Sequence, residues 1–135
     1  MKMIIFFLMA VMFCITASAQ KDSLKQFILV IRYNPNMKQP TSEAIEKNIG
    51  HWNDFMGELG KNGQIVEGYR PTSDGQTVSN KGTSKGAYIG NNETMSSILI
   101  IKAAEIKAAE AIAKKCPILE FDGSIEIRPL MQMAK

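Results

Sequence analysis

The sequence predicts an α+β fold, a ferredoxin-like βαββαβ sandwich with two helices on one face of an antiparallel sheet. Three stretches in its second half carry that expectation. Residues 97–102 form an apolar run with three isoleucines and a leucine, too short for a helix, which reads as a strand buried on both faces. From residue 105 to 116 the period changes: Ala109, Ile112, Ala113 and Cys116 recur at i, i+3, i+4 and i+7, the stripe of an amphipathic helix. Pro117 ends it, because the residue before a proline is pushed out of the helical region. After a turn at Asp122-Gly123, Ile125 and Ile127 alternate with Glu126 and Arg128, as in a half-buried strand.

In chain order, residues 1–19 are set apart. Lys2 supplies a positive start, residues 3–15 are apolar, and Ala17-Ser18-Ala19 precede Gln20, the pattern of a cleaved export signal. The run is shorter than the about 20 apolar residues that span a bilayer, so the expected product is periplasmic or extracellular without a stable membrane anchor. Residues 20–26 read as a flexible arm, 27–130 as one domain and 131–135 as a tail. Residues 27–33 are nearly all apolar and rich in branched side chains, hence a central strand ended by Asn34-Pro35-Asn36. Thr41 or Ser42 caps the helix that follows, and Ile45, Ile49, Trp52, Met56 and Leu59 are its expected core stripe. Gly60 and Lys61-Asn62-Gly63 end it. Residues 64–69 read as a strand, Pro71 to Gly75 as a turn, and Gln76 to Ser79 as a short edge strand. Residues 80–95 are rich in Gly, Asn, Ser and Thr and read as a long exposed loop.

Composition bounds the function. Without the leader, whose one charge is Lys2, 15 basic residues face 13 acidic ones over 116 residues. So weak and scattered a balance does not make a nucleic-acid surface. Cys116 is the one cysteine left, so no intrachain disulfide forms, and its place on an apolar stripe reads as a small buried hydrophobe. A chain of this length covers one face of its sheet with two helices. The other face is expected to close against a second copy, as a homodimer.

Several stretches resemble the YCII-related (DGPF-domain) family of dimeric α+β-barrel proteins. They are FILVIRYNP from Phe27, His51-Trp52-Asn53-Asp54-Phe55-Met56, Gly63-Gln64-Ile65-Val66, Gly86-Ala87-Tyr88, the helix ending in Cys116-Pro117, and Glu126-Ile127-Arg128-Pro129. The resemblance implies a ferredoxin-like protomer, a two-fold dimer and a cleft between helices and sheet. The chain departs from the family where function would lie. The Asp-Gly-Pro-Phe/Tyr of the family is here Lys85-Gly86-Ala87-Tyr88, and Gly90 and Asn92 stand where the family carries Glu and Lys, while Glu93 is kept. Trp52 takes the helix position of the histidine in the His–Asp pair that some branches of the family carry, with His51 one residue earlier and Lys61 near the aspartate's place.

His51 is the only histidine, which excludes a multi-histidine zinc site, and no cofactor is implied. It reads either as an acid/base at the edge of the helix stripe or as a solvated boundary residue. Trp52 reads as core or as a stacking surface. Arg32, Arg70 and Arg128 lie in or at the ends of strands and suit a small anionic ligand if two converge, or simple pairing with an acid such as Glu126. Tyr33, Tyr69, Tyr88 and Glu93 complete the candidate lining. Two functions from different classes fit these residues. One is an exported dimeric binding or structural module with a degenerate cleft for a small anion or a partner. The other is a cofactor-independent enzyme of hydrolase, isomerase or monooxygenase type with His51 as acid/base and Glu93, across the dimer, as its carboxylate. The lost acids favour the first.

Overall fold

The computed structural model describes residues 23–133, so the expected leader over 1–19 lies outside the described residues. Four strands form the main sheet: β1 (Lys25–Tyr33), β2 (Ile65–Tyr69), β5 (Thr94–Ala103) and β6 (Ser124–Pro129). Their order is β2-β5-β1-β6, every neighbour antiparallel. The helices are α1 (Ser42–Lys61) and α2 (Ile106–Ala113), with a 3-10 turn at Pro117–Phe121, and they pack on one face. This is the expected ferredoxin-like arrangement.

Register decides which side chains make the core. Phe27, Leu29 and Ile31 on β1 sit between Ile101, Leu99 and Ser97 of β5 and Pro129, Ile127 and Ile125 of β6. Phe27, Leu29, Ile31, Leu99 and Ile101 are buried with Phe55, Leu59 and the α2 stripe Ala109, Ile112, Ala113 and Cys116. Alternation turns Ile28, Val30, Ile98 and Ile100 to the opposite face, where no helix among the described residues covers them and they remain half-buried. The expectation that residues 97–102 are buried on both faces is therefore corrected within the protomer. The helices among the described residues cover one side only.

Local chemistry explains the helix ends. Thr41 Oγ1 accepts from the Ala44 N–H at 3.2 Å, with Glu43 in the first turn and Lys61 in the last. α2 is shorter than expected, ending at Ala113, and Pro117 opens the 3-10 turn as its first residue rather than merely closing a helix. Asp122 then takes the left-handed conformation at φ 53°.

The outward face of α1 differs most from expectation. The buried residues are Asn48, Phe55 and Leu59, with Trp52 and Met56 half-buried, while Ile45 and Ile49 are 40% and 55% exposed. The first half of α1 leans on the 3-10 turn through Asn48 and not flat on the sheet, so the stripe is turned by about one residue. β3 (Gln76–Ser79) does not join the main sheet as an edge. It pairs with β4 (Gly82–Lys85) as a separate hairpin, so the expected loop over 80–95 is interrupted by β4 and by the start of β5. What remains of it holds a tight turn: Gly90 and Glu93 exchange backbone hydrogen bonds across Asn91 and Asn92, both at positive φ.

Candidate functional site

The lean of α1 opens a cleft of about 750 Å³ between this helix and the β2 side of the sheet. Ile45, Ile49, Trp52 and Met56 form its apolar wall, and Leu99 belongs to its floor. Trp52 also meets Phe55 edge to face, with ring centroids 5.9 Å apart. The polar groups are Tyr33, Asn48, Ser96 and Ser97, with Asn53, Tyr69 and Arg70 at the exposed rim. Among the described residues no carboxylate lies within ion-pairing distance of Arg70. An apolar body with a handful of placed polar groups is the usual make-up of a small-molecule site.

Behind the wall, three side chains tie α1 to the 3-10 turn. Asn48 Nδ2 donates to Pro117 O at 2.9 Å and to Glu120 Oε2 at 2.9 Å. Glu120 Oε1 lies 2.6 Å from His51 Nδ1. The Asn48 N–H, and then the His51 ring, hold the Glu120 carboxyl below the usual carboxylate range. With Glu120 ionised, Nδ1 of a neutral His51 carries the shared hydrogen and Nε2 is the basic nitrogen. His51 does not line the large cleft. It lies with Asp54, Glu58, Lys115 and Glu120 around a shallow depression of about 220 Å³.

The candidates from sequence thus divide. Tyr33, Trp52 and Arg70 come together in the cleft. Arg32, Tyr88 and Glu93 line a hollow of about 520 Å³ between the hairpin's base and the opposite sheet face. There Arg32 Nη2 is already paired with Glu126 Oε2 at 2.6 Å, and Ser124 Oγ donates to Glu93 Oε2 at 2.9 Å. Arg128 lines neither space and stands 3.9 Å from Glu126. The carboxylate beside His51 is Glu120 of its own chain, and Glu93 is engaged with Ser124. Cys116 is buried, and burial pushes its thiol up to about 11, away from nucleophilic use.

Asn48 and Glu120 were the residues missed. Asn48 had a signal, a polar residue on the same helix face as Trp52, Phe55 and Leu59. Glu120 had none, since 69 residues separate it from His51.

The family model for the YCII-related domain matches residues 25–134, most of the 135-residue chain. The chain belongs to the YCII-related family. No curated protein gives a significant match. This YCII-related chain therefore carries its family's fold, with a lysine at position 85 beside the hollow and Trp52 lining the cleft.

Proposed function

We propose that this YCII-related protein is an exported, homodimeric binding module whose α1 cleft takes a small anion with an apolar body. The observation that carries this is the meeting of Trp52, Tyr33 and Arg70 in one cleft of about 750 Å³. Trp52 and its neighbours offer apolar surface, and the Arg70 guanidinium suits a carboxylate or phosphate head. A role without catalysis is supported by the position of His51, which faces a separate and shallow depression. Dimer formation is supported by Ile28, Val30, Ile98 and Ile100 on the uncovered sheet face. Export rests on the leader pattern in residues 1–19. Among the described residues no helix is long and apolar enough to cross a membrane.

Trp52 is the only tryptophan, so its fluorescence reports on the cleft directly. Titration with a panel of aromatic and branched aliphatic carboxylates is expected to give saturable changes. Arg70→Ala should weaken them by roughly ten-fold or more, the usual effect of losing a hydrogen bond to a charged group. A full panel without a saturable change, or binding indifferent to Arg70, would refute this reading.

One observation favours the enzyme reading: Glu120 orients His51, as a base needs. On that reading, turnover of an ester or carbonyl substrate falls at least a hundred-fold, in order-of-magnitude terms, on His51→Gln while the fold is kept.

A further inference from the structure

We infer that the cleft selects anions that also bring an O–H or N–H donor, and that Asn48 Oδ1 is the atom that reads it. The inference rests on the cleft reading above and adds the class of ligand. Asn48 is only 6% exposed, yet it lines the cleft. Both hydrogens of its Nδ2 are committed, one to Pro117 O and one to Glu120 Oε2. A carbonyl and an ionised carboxylate only accept, so a flipped amide would set Oδ1 against two acceptors. The amide orientation is thereby fixed.

Oδ1 is the atom left over. Among the described residues no donor reaches it, and no fully buried side-chain oxygen lacks a partner, so Oδ1 opens on accessible space. The space that Asn48 lines is the cleft, beside Ile45, Ile49 and Trp52 on the same helix. The other polar groups there discriminate less. The hydroxyls of Tyr33, Ser96 and Ser97 rotate and serve as donor or acceptor, the exposed Asn53 amide is free to turn either end inward, and the exposed Tyr69 hydroxyl is engaged with Glu67, whereas Asn48 Oδ1 is fixed and accepts only. A ligand that covers Oδ1 without a donor strips its water and leaves the acceptor unpaired, which disfavours it. Arg70 for the anion and Asn48 for the donor make a two-point recognition across an apolar body.

The test compares phenylacetate, mandelate and para-hydroxyphenylacetate, three monoanions with one ring and a hydroxyl absent, near the head or at the far end. Binding to the full chain is followed by Trp52 fluorescence and by the Asn48 side-chain amide resonances. At least one hydroxylated probe is expected to bind about three- to ten-fold tighter than phenylacetate, the range of one net hydrogen bond. Its methyl ether should fall back to the phenylacetate level or below, and Asn48→Leu should erase the preference. The methyl-ether comparison is made on the unmodified protein, so the test stands even if the leucine variant does not fold. Equal binding of all three probes, each still weakened by Arg70→Ala, would overturn the donor inference and leave the cleft reading intact. Absence of saturable binding by any of them would overturn both.

Discussion

Alanine at position 123 should unfold the protein more readily, while the same substitution at position 57 should stabilise it. Gly123 joins the 3-10 turn to β6, pressed against the backbone of β1. A Cβ there would run into Ile118 Cγ1 and stand 2.7 Å from Arg32 O and 2.9 Å from Ile118 O. The Ile118 methylene can swing aside, but the two carbonyl oxygens belong to main chain held in a sheet and a turn. Something in the backbone must therefore shift, and overpacking of this kind costs about 2–3 kcal/mol. With a urea m-value of about 1–1.5 kcal/mol per molar for a small domain, the unfolding midpoint should fall by roughly 1.3–3 M. Gly57 lies inside α1, exposed, with nothing within 4 Å of its would-be Cβ. Alanine there restricts the unfolded chain and suits the helix, a gain of about 0.5–1 kcal/mol and a small rise in midpoint. Urea unfolding followed by circular dichroism measures both. A neutral or stabilising Gly123→Ala would refute the close packing of the 3-10 turn against β1, on which the position of Glu120 and the Asn48 tether depends.

Two further outcomes follow from the same geometry. Ile98→Glu places a charge on the uncovered sheet face without touching the helical core, so sedimentation velocity should show a dimer for the parent and a monomer for the variant; a parent that is monomeric at all concentrations would refute the dimer. Glu120 is held below its ordinary range in the folded state, so its contribution is present above its unfolded value of about 4.3 and is lost as pH falls through the lower folded value. Urea midpoints measured against pH should accordingly decline less in that acid window for Glu120→Gln than for the parent, and identical slopes would show that Asn48 and His51 do not bias this carboxyl.

The strands and helices were legible because each carries its own period. Residues 97–102 announce a strand by unbroken branched side chains, and Ala109, Ile112, Ala113 and Cys116 announce the buried face of α2. The α1 stripe was read one residue off, since Ile45 and Ile49 repeat at helical spacing as well as Asn48, Phe55 and Leu59 do. Hydrophobicity alone ranks isoleucine over asparagine. It cannot register that Pro117 O and Glu120 stand ready to satisfy a buried amide. The hairpin was missed for a related reason: β4 is Gly-Thr-Ser-Lys, polar throughout, and pairs only by its backbone.

The sequence by itself determined the βαββαβ order, the core of the sheet, the membership in the YCII-related family and the inert setting of Cys116. These depend on local periodicity and on residue type, which a linear chain displays. The tertiary structure alone decided that Tyr33, Trp52 and Arg70 share a cleft while Arg32 and Glu93 lie across the sheet from them. It also decided that His51 has Glu120 beside it and that, among the described residues, no donor reaches Asn48 Oδ1. Those facts depend on how far α1 leans from the sheet and on which strand neighbours which, and such distances arise only when segments far apart in sequence pack together.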